Sequence, residues 1–255
     1  MADLIVIGGP NGAGKSTAAP FLLGERLRIA EFVNADVIAS GLSAFAPERA
    51  AIEAGRVMLN RLRQLGNEGK DFAFETTLAS RSFAPWIGRL KRERGYRFHL
   101  FYLWLPSAEM AVARAAGRVR AGGHAVPPED IRRRYRRGLS NFFQLYSPIA
   151  DSWEMHENSL SSPTLIAAKD VDAPIRFGDR ALWQTIQEGL RMKDTEAEYE
   201  AGVEPRVAGI PISEVMEIFA RAGREAFARH KALGHPVVIW RDGKVVVVPP
   251  EEIEV

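Results

Sequence analysis

One stretch constrains this chain more than any other: Gly9-Pro10-Asn11-Gly12-Ala13-Gly14-Lys15-Ser16, followed by Thr17. It matches G-x-x-x-x-G-K-[ST] at every fixed position. Leu4 to Ile7, immediately before it, is a short apolar run that reads as a buried strand, and the residues from Ser16 to Leu23 can open a helix despite Pro20. Glycines let the backbone curl so that its N–H groups converge, and the helix start adds partial positive charge. Such a curl cradles phosphate oxygens, with Lys15 reaching the β- and γ-phosphates and the Ser16 hydroxyl available to Mg²⁺. A chance match in a chain this long occurs in roughly 1 case in 100. A dinucleotide-binding turn is the competitor, since Asp36 lies about twenty residues on, but the third glycine of G-x-G-x-x-G is replaced by Lys15-Ser16-Thr17. We therefore expect ATP, or GTP, on Gly9 to Thr17, with Ser16 at the metal.

Beyond the motif, strands are expected at Arg28 to Asn34, Phe72 to Phe74, Tyr96 to Leu105 and Thr164 to Ala168. Helices are expected at Pro47 to Leu65, from Ser107 onward with breaks at Gly122-Gly123 and Pro127-Pro128, at Asp179 to Met192 and at Ser213 to Leu233. Alternating strands and helices imply an α/β fold, a parallel sheet flanked by helices as in P-loop nucleotide kinases. Residues 193–205 read as a linker between a kinase domain at 1–192 and a small module at 206–255. In that module Val237 to Trp240 and Lys244 to Val248 flank Asp242-Gly243, a strong hairpin signal because the turn needs positive φ at both central residues.

In open α/β sheets, ligands sit beyond the carboxyl ends of the strands. Asp36 and Glu75 follow two of them. Asp36 is the candidate catalytic base, with a helix cap or a water-mediated metal contact as its plainer alternatives. Asn34, Glu75, Thr76 and Thr77 are candidate acceptor contacts, though two successive threonines equally suit a turn. Eight arginines between Arg114 and Arg137 surround Gly122-Gly123-His124. Two helices joined by that loop would form a lid, and Arg118, Arg120 and Arg133 are the residues expected to neutralise charge on the moving phosphoryl group. His124 is a further candidate phosphate contact.

The rest of the composition narrows the class. With 46% hydrophobic and 26% charged residues in 255, the chain is globular. It has no cysteine, which excludes disulfides and thiolate metal sites. Met1-Ala2-Asp3 ahead of a short apolar run lacks the build of a signal peptide, and no stretch could span a bilayer, so a soluble, cytoplasmic chain with no membrane partner is expected. Net charge is only +2, and the arginine cluster lacks interleaved aromatics apart from Tyr135, which argues against nucleic acid as a partner.

Taken together, GGPNGAGKST, FVNADVIASGLS, FAFETTLASRSF, HLFYLWLPS, and RVRAGGHAVPPEDIRRRY followed by NFFQLYSPIADSW resemble the zeta-toxin family of P-loop kinases over roughly residues 2 to 192. The resemblance implies ATP-dependent phosphorylation of the 3′-hydroxyl of UDP-N-acetylglucosamine or a related UDP-sugar, held in check by an antitoxin. It assigns Lys15 and Ser16 to the phosphate loop and magnesium, Asp36 to the base, Glu75 and Thr77 to the acceptor sugar, and Arg118 to the lid. The short Gly-Gly-His lid departs from the longer loop of the best-known members and leaves the second lid arginine open. The stretch ARHKALGHPVVIWRDGKVVVVPPEEI resembles small proteins encoded beside such kinases. It suggests a fused module that masks the ATP or acceptor site, or one that only completes the core. A kinase for another small alcohol (a nucleoside, sugar or antibiotic) and a nucleotide switch or RNA-binding module are the alternatives.

Overall fold

The computed structural model describes residues 1–43, 50–120, 125–190, 206–207 and 210–254. The first strand sets the layers. In β1 (Asp3–Gly8), alternate side chains point to opposite faces and both faces are covered. Leu4 and Val6 enter one core, and Ile5 and Ile7 enter the other. The glycine curl follows, and α1 (Lys15–Ala19) opens directly from it. Pro20 cannot donate to the helix ladder, and the chain continues past it as a π-helical segment, Pro20–Leu27, ending at left-handed Arg28.

The remaining elements are β2 (Glu31–Val33), α2 (Ala35–Leu42), α3 (Ala51–Glu68), β3 (Phe72–Thr76), α4 (Phe83–Arg94), β4 (Arg97–Trp104), α5 (Ala108–Arg120), α6 (Pro128–Asn141), β5 (Ser152–Glu157), β6 (Thr164–Lys169), β7 (Arg176–Phe177) and α7 (Arg180–Gly189). Strands and helices alternate as far as α6, with α2–α3 and α5–α6 as helix pairs, and three strands then follow in succession. The sheet order is β2-β3-β1-β4-β5-β6-β7. The pairs from β2 to β5 are parallel, whereas β6 and β7 add antiparallel at the edge. The first core is covered by α3 through Met58, Leu62 and Leu65, by α4 through Ile87 and Leu90, and by Trp183 of α7 stacked on Trp153 of β5.

Several expectations need correction. The strand expected at Arg28 to Asn34 spans only Glu31–Val33, because the helix before it runs on to Leu27. α2, α4, β5 and β7 were not anticipated. The helix expected from Asp179 starts one residue later, with Asp179 capping it by accepting from Leu182 N–H at 2.9 Å. The helix start expected at Pro47, the end expected at Met192 for the helix from Asp179, and the linker 193–205 lie outside the described residues. No helix among the described residues is long and apolar enough to cross a membrane.

The C-terminal segment does not stand apart from the sheet. A short pair, β8 (Arg206–Val207) and β9 (Ile210–Pro211), leads into α8 (Ile212–Ala232) and the hairpin of β10 (Val237–Arg241) and β11 (Lys244–Val248). Asp242 and Gly243 both take positive φ, as the type I′ turn demands. Ile210, Val215, Ile218 and Phe219 are buried in the second core, alongside Ile5, Ile7 and Leu22. Burying such side chains contributes roughly 1.5–3 kcal/mol each, so α8 is integral to the face of the sheet that carries the phosphate loop.

Candidate active site

The phosphate loop leaves β1 at the centre of the parallel strands. Gly9 (φ 138°), Gly12 (φ 76°) and Gly14 (φ 85°) occupy backbone regions closed to most L-residues. A Cβ on Gly9 would overlap the Leu103 carbonyl oxygen, and one on Gly12 would lie 2.7 Å from Arg114 Cβ. Gly14 caps α1 with no side chain to take up its first N–H groups, which makes the helix start an anion cradle. Lys15 is buried and donates to the Pro10 carbonyl at 2.9 Å. Burial lowers its pKa by more than the Glu75 and Asp36 carboxylates raise it. A desolvated ammonium of this kind gains from an arriving anion.

A cavity of about 440 Å³ opens over this loop. Asn11, Gly12 and Gly14 to Thr17 line it, whereas Gly9, Pro10 and Ala13 lie behind and support the curl. Ser16 Oγ donates to Glu75 Oε2 at 2.8 Å. Glu75 sits near the end of β3, the strand directly beside β1, and this placement draws it toward the Ser16 hydroxyl. Thr76 and Thr77 also line the cavity. Thr76 Oγ1 accepts from Leu78 N–H at 3.2 Å, the turn role noted for it. Asn34 is the helix cap: its Oδ1 accepts from the N–H groups of Asp36 and Val37 at 2.8 and 3.2 Å. That frees Asp36 from capping, and its carboxylate lines the cavity at the edge of Arg118, 3.6 Å from Nη1.

The arginines divide by helix phase. On α6, Ile131, Gly138 and Leu139 mark the buried face. Arg134 follows that face and lines the cavity. Arg133, the expected lid residue, is one position out of phase, exposed, and paired with Asp130 at 2.6 Å. Gly138 explains how α6 comes so close, since a Cβ there would overlap the Thr77 carbonyl oxygen. On α5, Arg118 lines the cavity, and its Nε and Nη2 are shielded from water with no hydrogen-bond partner among the described residues. The Arg120 side chain and His124 lie outside the described residues.

Three features escaped the sequence reading. Arg114 is half-buried with its guanidinium held by carbonyls: Nε donates to Val238 O at 2.8 Å, Nη1 to Asn158 O at 2.7 Å and Nη2 to Ser159 O at 2.5 Å. Burial takes its pKa down to about 10. Asn158, just past β5, donates from Nδ2 to Ala13 O at 2.8 Å and so braces the phosphate loop. Finally, the far wall of the cavity comes from α8 and β10, through Phe219, Gly223, Phe227 and Val238. Helical periodicity would have singled out Arg134; nothing local marks the docking of α8.

A mostly parallel sheet ordered 2-3-1-4-5, with a lysine-tipped glycine curl after its central strand, is the fold of P-loop kinases. The AAA domain family matches residues 4–140, and the chain belongs to that family. An uncharacterized protein of Haemophilus influenzae is 31% identical over 129 residues, 50% of this chain and 88% of the relative. Among solved structures, the native AvrRxo1-ORF1:-ORF2 complex aligns at a TM-score of 0.61 and 14% identity over 73% of this chain, which spans 63% of that one. The same complex with ATP aligns at 0.61 and 14% over 88% of this chain and 76% of that one. The PezAT toxin–antitoxin system of Streptococcus pneumoniae aligns at 0.53 and 13% over 90% of this chain and 87% of that one. At these identities the likeness is one of fold.

Proposed function

We propose that the chain is an ATP-dependent phosphotransferase of zeta-toxin type, acting on the 3′-hydroxyl of UDP-N-acetylglucosamine or a related UDP-sugar. The observation that carries this reading is the convergence of Lys15, Ser16, Asp36, Glu75 and Arg118 on one cavity. Lys15 and the N–H groups at the start of α1 hold the triphosphate. Asp36 accepts the proton of the acceptor hydroxyl at its carboxylate. The acceptor oxygen then bonds to the γ-phosphorus as the bond to the β–γ bridging oxygen breaks, and ADP leaves with that electron pair. Arg118 and Arg134 balance charge on the transferring group.

The hydroxyl of Ser16 and the carboxylate of Glu75 are hard oxygen donors 2.8 Å apart. They suit Mg²⁺, which favours one or two protein oxygens beside phosphates and water. Ser16 and Glu75 would hold the ion, which would supply charge neutralisation to the phosphates.

The UDP-sugar as acceptor rests on the zeta-toxin resemblance. Incubation with ATP, magnesium and a panel of UDP-sugars, nucleosides, sugars and antibiotics, followed by mass spectrometry, tests it. Phosphorylated UDP-N-acetylglucosamine is expected, and Asp36→Asn or Lys15→Ala should abolish it. A product from a different alcohol would move the acceptor, and no product from any would favour a nucleotide switch. PezAT is a toxin–antitoxin system, which supports antitoxin-type control here as well. With α8 and β10 in place the cavity keeps about 440 Å³, which favours control in trans over residues 206–255 acting as a mask in cis.

A further inference from the structure

The geometry points to a role for the C-terminal unit inside the site: α8 and β10, with Leu160 and Arg114, form the subsite for the nucleobase of the phosphoryl donor, and His230 selects adenine over guanine. This rests on the proposed placement of a triphosphate on the phosphate loop.

The cavity that begins at Lys15 and Ser16 runs on to Phe227, His230 and Val238. Its chemistry changes along the way. The phosphate end carries charge, whereas the far end is walled by Phe219, Ala222, Ala226 and Val238, with Leu160 facing from the loop after β5. Small residues on a helix beside aromatic and branched ones leave a flat apolar slot, the shape an aromatic base fills. Leu160 keeps 46% of its surface exposed, so apolar area remains there to be covered.

The slot is held rigidly to the phosphate loop. A Cβ on Gly223 would overlap the Ser161 carbonyl oxygen, so α8 lies flush against the loop after β5. The Arg114 guanidinium joins Val238 of β10 to Asn158 and Ser159, and Asn158 in turn holds Ala13. One half-buried cation satisfied by carbonyls therefore fixes the distance between the apolar slot and the anion cradle.

His230 supplies direction. Its Nδ1 lies 3.1 Å from the Pro236 carbonyl oxygen, which can only accept. Nδ1 therefore carries the proton, and in the neutral ring Nε2 is left as an acceptor. An acceptor satisfies the exocyclic amine of adenine and opposes the carbonyl oxygen of guanine.

The test is direct binding to the full chain, with ATP, GTP and inorganic tripolyphosphate as probes and 8-azido-ATP crosslinking mapped by peptide mass spectrometry. We expect ATP to bind at least about ten-fold more tightly than either GTP or tripolyphosphate, and the crosslink to fall within residues 219–238. Ala226→Trp should weaken ATP by about ten-fold or more while leaving tripolyphosphate within about two-fold. His230→Phe, which keeps the ring and loses the acceptor, should bring ATP and GTP within about two-fold of each other. Equal binding of ATP and tripolyphosphate, or a crosslink confined to the Met58–Phe83 end, would overturn the base subsite and leave the kinase reading intact. Failure of both ATP and tripolyphosphate to bind would overturn the kinase reading and this inference with it.

Discussion

Ser16 donates its hydroxyl to Glu75 across 2.8 Å, tying the first turn of α1 to the end of the neighbouring strand. If the two hold one Mg²⁺ together, Ser16→Ala and Glu75→Gln should each raise the magnesium requirement by roughly 10–100-fold. The double variant should be little worse than the poorer single one, because the pair acts as a unit. Magnesium titration of phosphotransfer reads both effects, and fully additive losses would separate the two residues.

Asp36 lies at the cavity, free of the capping duty that Asn34 performs. Asp36→Asn keeps the shape and removes the proton acceptor, so kcat should fall by about 10²–10⁴. ATP affinity should remain near wild type. An Asn variant that turns over normally would remove Asp36 from the role of base.

Helix phase makes a sharp distinction among the arginines. Arg118→Ala and Arg134→Ala should each lower kcat by about 10²–10³. Arg133→Ala should stay within about two-fold of wild type, since Arg133 is exposed and spends its charge on Asp130. Steady-state kinetics on the three variants decides whether Arg134 takes the place expected for Arg133.

Gly138 brings α6 against the carbonyl of Thr77, with Arg134 one turn earlier. A methyl group there must push the helix outward. Gly138→Ala should destabilise the protein by about 1–3 kcal/mol and lower kcat with it, as read from denaturant unfolding and kinetics. Unchanged stability would mean that the helix has room to move.

Glu154 and His156 are wholly buried on one face of β5, with Glu154 Oε2 2.6 Å from His156 Nε2. Burial raises the pKa of Glu154, against the opposing pull of His156. A carboxyl whose pKa is higher folded than unfolded contributes most below the unfolded value of 4.5 and loses that contribution as pH rises through the folded one. Glu154→Gln should therefore gain on the wild type as pH rises from about 4.5 toward 7. Melting temperatures of both proteins across that range test the sign, and a constant difference would count against it.

The same pair shows why part of the fold was hard to read. Ser152–Glu157 is an interior strand buried on both faces, yet Glu154 and His156 interrupt its apolar run, paired two residues apart through one carboxylate oxygen and one ring nitrogen. β1 and the phosphate loop were legible because strand, glycine curl and lysine fix one local geometry. Arg134 was legible in principle from its spacing to Ile131 and Gly138, but a block of consecutive arginines obscured the phase. The hairpin at Asp242-Gly243 announced itself. Its place at the cavity did not, since that depends on Arg114 reaching Val238, 124 positions away.

That span has a consequence for synthesis. A ribosome delivers the phosphate loop before the hairpin, and Val238 emerges 124 residues after Arg114. Until then the guanidinium has only the carbonyls of Asn158 and Ser159, and one side of the pocket is water. A partly translated chain thus possesses its most recognisable motif well before it possesses an enclosed place for a nucleotide to rest.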